Sequence, residues 1–138
     1  MKERSFLDTN IFVYTDDADA PDKSALAIEL VEQALTSKKG VISTQVLQEY
    51  VAATTRKLGV AIETAKDRAR LFARMSVIQI STDDVMAAVD LVQLHRLSFW
   101  DALIIQAARK AECRVLLTED LQHGRVIDGV TITNPFLQ

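Results

Sequence analysis

The chain has 138 residues, 49% hydrophobic and 25% charged, with 16 basic against 19 acidic side chains and a formal net charge of -3. That length fits one domain spanning 1–138, since domains cluster at roughly 100 to 150 residues. The balance excludes disordered and collagen-like classes, and no global positive field draws the chain to nucleic acid or anionic membrane, so such binding needs a local patch.

The N-terminal stretch "RSFLDTNIFVY" starts as a buried strand, Ser5 to Leu7, and then places Asp8 where the apolar run would continue. A helical segment runs from Thr9 to about Thr15. The acidic run Asp16, Asp17, Asp19 and Asp22 leads into a helix with Pro21 early, Leu26, Ile28, Leu30, Val31 and Leu35 inside, and Lys38, Lys39 and Gly40 at its end. "GVIS" follows as a short β-branched strand. Helical spacing returns over Thr44 to Leu58 and again over Ala61 to Met75, where Lys66, Arg70 and Arg74 share a face that is either solvated or open to phosphate. "SVIQIS" is a third strand. Helices over Thr82 to Arg96 and Phe99 to Glu112 precede a fourth strand, "RVLLT", and a fifth, "VTIT".

Strands that alternate with helices, with no hairpin-length turn between them, predict an α/β domain: a central parallel sheet of about five short strands flanked by helices. Two prolines and four glycines leave no linker or low-complexity stretch. The single Cys113 excludes an internal disulfide and suits a reducing compartment. Asp8 cuts the N-terminal apolar stretch short of a signal-peptide core, and no uncharged run approaches the ~20 residues of a membrane span. A cytoplasmic location without membrane contact is the expectation.

In a doubly wound sheet, ligands bind beyond the carboxyl ends of the strands. Asp8 and Asp120, the latter two residues past "RVLLT", both fall there, although an N-cap and a turn account for them equally well one at a time. Asp101 is spaced from Ser98 like a capping box, yet the helical wheel aligns it with Ile105 and Ala108 on the inward side, opposite Gln106, Arg109 and Lys110. Glu49 falls opposite Val51 and Leu58, on a solvated face or in a wet cleft. Two carboxylates ~6 Å apart repel by almost 3 kcal/mol at an effective dielectric of 20, so converging acids need a cation. Oxygen donors without His or Cys select Mg²⁺ or Mn²⁺ over zinc, and such an ion supports phosphodiester hydrolysis.

Four segments, "FLDTNIFVY", the "EY" of "TQVLQEYVAA", "SFWDALIIQAA" and "LLTEDLQHG", occur in the order seen in a known family. Together they make the chain resemble, over essentially its whole length, the PIN-domain ribonucleases and in particular the VapC-type toxins of toxin/antitoxin pairs. The resemblance implies a compact α/β fold, a site of Asp8, Glu49, Asp101 and Asp120 that binds Mg²⁺ or Mn²⁺, cleavage of RNA, a homodimer and a cognate antitoxin. It further implies supporting roles for Asn10, orienting Asp8 or the metal water, and for Thr118. Asp120 is preferred over Glu119 at the fourth position because T-x-D is the family spacing, with Glu119 a second ligand at most.

Arg96 and Arg125, close in sequence to Asp101 and Asp120, are candidates for substrate phosphate. His95 sits near a helix end and His123 in a loop, neither at metal-site spacing from Cys113. Trp100 is read as packing at a helix start, with base stacking as the other option. Among the acids after Asp8, Asp16 stands out. A haloacid-dehalogenase-like phosphatase would want D-x-D where this chain has Asn10, and a receiver domain would want a late Lys that "LLTEDL" lacks. A non-catalytic RNA- or protein-binding module on the same fold remains the alternative from another class.

Overall fold

The computed structural model describes residues 1–137. Its elements in chain order are β1 (Ser5–Leu7), α1 (Thr9–Tyr14), α2 (Pro21–Ser37), β2 (Gly40–Ser43), α3 (Thr44–Lys57), α4 (Ile62–Phe72), β3 (Ser76–Ile78), α5 (Thr82–His95), α6 (Phe99–Lys110), β4 (Val115–Leu117), β5 (Val126–Ile127) and β6 (Val130–Thr133). The strands form one sheet in the order β3-β2-β1-β4-β6-β5. Every pairing is parallel except β5 with β6. Among the described residues the sheet therefore has six strands where about five were expected.

The additional strand corrects the expectation that no hairpin occurs. Asp128 and Gly129 join β5 to β6 with φ of 49° and 83°, the two left-handed residues that a type I′ turn requires. Asp-Gly is the sequence signal for such a turn; β5 itself, two residues long, is too short to register as a pattern.

The chain leaves β1 towards β2 and β3, then returns across the sheet to β4 on the opposite side of β1. Parallel crossovers are right-handed, so the outward and return paths lie on opposite faces. In keeping with this, α1 packs on α2 and α3, and α3 on α4, whereas α5 packs on α6. Strands β1 and β2 are wholly buried, as a sheet covered on both faces demands.

Helix α6 departs from its amphipathic reading. Ala102 to Ala108 are buried without interruption, so this helix crosses the interior with apolar contacts all round. Gln106, assigned to the polar side, is among them: its Nε2 donates to Asp84 Oδ1 at 3.2 Å, and Arg109 Nη2 donates to its Oε1 at 2.7 Å. Asp84 also accepts from Lys110 Nζ at 2.8 Å and closes a reciprocal capping box with Ser81 at the start of α5. Buried polar groups are admissible when partnered in this way.

Phe72 joins the outward helices, packing against Phe12 at 4.6 Å and edge-on to Tyr50 at 5.0 Å between ring centres. Beneath that cluster Tyr50 Oη donates to Asp16 Oδ2 at 2.7 Å, and Arg68 pairs with the other oxygen, so Asp16 is a buried clamp between helices. Gly40 is required by proximity: a Cβ there would lie 2.6 Å from Ala34 Cβ, inside contact distance. No helix among the described residues is long and apolar enough to cross a membrane.

Candidate active site

A doubly wound sheet opens a crevice where successive crossovers diverge, here between β1 and β4. Asp8 N donates to Leu117 O at 3.0 Å, so the ends of the two strands are tied at that point. An open cleft of about 530 Å³ lies there, and Asp8, Glu49, Asp101 and Asp120 all border it. They come from four places: the end of β1, the second turn of α3, the first turn of α6 and the loop after β4.

Asp8 is the N-cap of α1. Its Oδ1 accepts from Thr9 N at 2.7 Å and its Oδ2 from Thr118 Oγ1 at 2.8 Å. The N-cap and ligand accounts of this residue are compatible, since each oxygen accepts one hydrogen bond and keeps a second lone pair. Burial, opposed by those two hydrogen bonds and reinforced by the charges of Asp120 and Glu49, pushes its pKa up from 3.8 to about 7.

Thr118 is a node. While its hydroxyl donates to Asp8, its oxygen accepts from Asn10 Nδ2 at 3.2 Å and Asp120 N at 3.1 Å. A hydroxyl offers one hydrogen and two lone pairs, so all its capacity is used. Asn10 also donates to Asp120 Oδ2 at 3.1 Å and accepts from Glu119 N at 3.3 Å. Asn10 therefore fixes the loop of Thr118, Glu119 and Asp120, reaching Asp8 only through Thr118.

Glu49 is half-buried and accepts from Thr9 Oγ1 at 2.8 Å, on the wet-cleft side of the two options its wheel position left open. Asp101 stands on the first turn of α6, where Ser98 Oγ accepts from its backbone N at 3.1 Å. Unlike Asp84, its carboxylate makes no return bond to the cap, and among the described residues it accepts no hydrogen bond. It is free to face the cleft.

Glu119 is engaged elsewhere. Lys23 Nζ lies 2.6 Å from its Oε2 and Tyr14 Oη donates to its Oε1 at 2.5 Å. Partial burial would raise its pKa, but these partners outweigh it and hold the carboxyl below its ordinary value. A cation and a hydroxyl hold its two oxygens, whereas Asp120 in the same loop has no cation on it and keeps Oδ1 without a hydrogen bond among the described residues.

Arg96 and Arg125 are absent from the cleft lining. Arg96 caps the end of α5 in the left-handed region at φ 55°, and Arg125 Nη2 donates to His95 O at 2.8 Å. His123 Nδ1 accepts from Asn134 N, a loop contact. The cations that line the cleft are Arg56 and Lys57, at the end of α3. They continue the stripe of Glu49, Ala52 and Ala53 at helical spacing, a signal present in the sequence once Glu49 is taken as facing inward. Trp100 is not core packing: it is 62% exposed and borders the cleft. Lys23 had no sequence signal, because only the fold brings it to Glu119.

The donor set is entirely carboxylate oxygen, which suits a hard cation such as Mg²⁺ or Mn²⁺. A buried Asp8 beside two further acids, with no cationic partner of its own, is the arrangement a divalent ion would relieve. Among the described residues no three His, Cys, Asp or Glu side chains are gathered closely enough to form a ready-made cage. The acids border an open cleft, and Mg²⁺ in particular is commonly held by one or two carboxylates with the remainder of its shell left to water and phosphate.

No curated protein matches the chain. Solved structures share its fold, among them the following three. A toxin-antitoxin complex from Klebsiella pneumoniae has 23% identity over 96% of this chain and 98% of that one, with a TM-score of 0.67. VapBC2 from Rickettsia felis, bound to a promoter DNA fragment, has 22% identity over 94% and 97%, with a TM-score of 0.66. VapC20 of Mycobacterium tuberculosis, a sarcin-ricin loop cleaving toxin, has 22% identity over 81% and 86%, with a TM-score of 0.64. The PIN domain family model matches residues 5–128, which takes in every strand from β1 to β5 and all four cleft acids. The chain belongs to the PIN domain family.

Proposed function

We propose that the chain is a metal-dependent ribonuclease that hydrolyses RNA phosphodiester bonds, and that it is the toxin of a toxin/antitoxin pair. The observation that carries the nuclease assignment is the meeting of Asp8, Glu49, Asp101 and Asp120, from four separate elements, on one cleft of a PIN domain. The toxin assignment is supported by structural neighbours that are themselves toxins or toxin-antitoxin complexes, which makes a cognate antitoxin the expected protein partner. A homodimer and a cytoplasmic location belong to the same proposal.

Asp8, Asp101 and Asp120 would hold Mg²⁺ or Mn²⁺, with Glu49 completing the acidic rim. Such an ion, when bound, acidifies water and offsets the charge that builds on the phosphoryl group. The residues of the chain do the rest. Thr118 and Asn10 hold Asp8 and Asp120 in fixed relation, Thr9 holds Glu49, and Asp101 offers an unengaged carboxylate. Water attacks phosphorus in line, a P–O bond forms as the bond to the 3′ oxygen breaks, and a water proton ends on that leaving oxygen. No side chain is required as nucleophile.

Incubation of the pure protein with structured RNA, with Mn²⁺ or with EDTA, tests the proposal. Cleavage that needs the metal and disappears in Asp8→Asn and Asp101→Asn is expected. RNA left intact by wild type in Mn²⁺ would favour a non-catalytic binding module; full activity in both variants would refute the assignment of the acids.

A further inference from the structure

A polyanion faces an unwelcoming cleft. Of the described side chains lining it six are carboxylates, and only Arg56 and Lys57 are cations. Two phosphate contacts to a single strand give a log-log salt slope of about -1.4, or roughly a sevenfold loss of affinity for a fourfold rise in salt. Beyond the one phosphate that a bound divalent ion would hold, phosphate pairing at one end of an acidic cleft is weak purchase, and a contact indifferent to charge is the complement that such a cleft calls for.

Trp100 has the properties of that contact. It is the sole tryptophan in the chain, 62% exposed, on the first turn of α6 and next to Asp101. Its ring and that of Phe99 form a T-shaped pair, with centres 5.2 Å apart and planes at 75°, so one neighbour steadies an indole that stays mostly in water. The backbone under it is fixed as well, because Gln45 Nε2 donates to Trp100 O at 3.3 Å. A large apolar ring that leaves most of its surface in water at the lip of a charged cleft adds little to the core. Base stacking on an aromatic ring is tolerant of sequence and independent of charge.

We propose that Trp100 is a stacking platform for an unpaired nucleobase beside the scissile phosphate, with Arg56 and Lys57 receiving phosphates further along the strand. This rests on the ribonuclease assignment above. A paired base within a helix has its faces covered by its neighbours and cannot use the indole.

Since Trp100 is the sole tryptophan, fluorescence excited at the red edge, where Tyr14 and Tyr50 do not absorb, reports on this position alone. The wild-type chain in EDTA is titrated with an unstructured oligoribonucleotide, with the same sequence as a duplex, and with an abasic ribose-phosphate oligomer. Quenching by the single strand only is expected. In Mn²⁺, Trp100→Ala should raise KM by about 5- to 150-fold, the range for one stacked base, with a smaller effect on kcat, and Trp100→Phe should restore most of the loss. Cleavage by wild type in Mn²⁺ with no quenching by the single strand overturns the platform and leaves the nuclease standing. Equal quenching by the abasic oligomer, or an unaltered KM in Trp100→Ala, also overturns it. Quenching without cleavage supports the platform and removes the nuclease, and absence of both removes both.

Discussion

Asp8→Asn should make the protein more stable while abolishing cleavage. The carboxyl of Asp8 has its pKa raised from 3.8 to about 7, chiefly by burial. A raised value means that the folded state retains a proton that the unfolded state has released. Stability is therefore full below about pH 4, falls as pH rises between the two values, and levels off above about pH 7. At 1.36 kcal/mol per pKa unit, the ionised side chain costs the fold about 4 kcal/mol above neutrality. Asparagine removes that charge and keeps an oxygen for Thr9 N. Its amide nitrogen, however, would face a Thr118 oxygen already accepting from Asn10 and Asp120, and the Thr118 hydroxyl would lose its acceptor. One lost hydrogen bond is worth about 1 to 2 kcal/mol. The net expectation is a gain of about 2 to 3 kcal/mol in EDTA at about pH 8, shrinking to nothing or reversing near pH 4. Urea unfolding followed by circular dichroism at a series of pH values measures it. A variant no more stable than wild type at about pH 8, or a gap that does not change with pH, would refute the reasoning.

Asp84→Ala removes the capping box of α5 and the shared partner of Gln106 and Lys110; a loss of about 2 to 4 kcal/mol in denaturation, with cleavage per folded molecule preserved, is expected. Burial would raise the pKa of Asp84, but the bonds from Lys110, Ser81 and Gln106 override it and hold the carboxyl well below the usual range. Its contribution is accordingly present above about pH 4 and lost as pH falls towards the folded-state value. Lys23→Met should let the Glu119 carboxyl titrate closer to its ordinary value, measurable by carbon-13 NMR, and lower cleavage as the loop carrying Asp120 loosens; an unmoved titration would show that Tyr14 alone holds Glu119.

The strands and helices were legible because each local signal agreed with the global fold: short β-branched runs, helices punctuated by Pro21 and Gly40, and acids placed after strands. Asp8 and Asp120 could be located from topology alone, since the crevice between β1 and β4 follows from strand order. Glu49 could not, because its wheel position is the same whether its helix faces water or a cleft. Gln106 escapes the wheel for a related reason: α6 is enclosed on all sides from Ala102 to Ala108, so a polar residue there need not mark a wet face when Asp84 waits to receive it. Arg125 was a neighbour of Asp120 only along the chain, and its side chain reaches across to the end of α5. Lys23 and Trp100 depend on tertiary placement, and no periodicity carries that information.

Both margins of the sheet are very short, three residues in β3 and two in β5. An outer strand of that length presents few unpaired amides and carbonyls as a template on which another polypeptide could extend the ladder, and the antiparallel turn back of β5 interrupts the parallel run on its side. Fibrillar growth by stacking of native molecules has little to begin from, and a companion chain is offered far more surface by the helices and loops than by either margin.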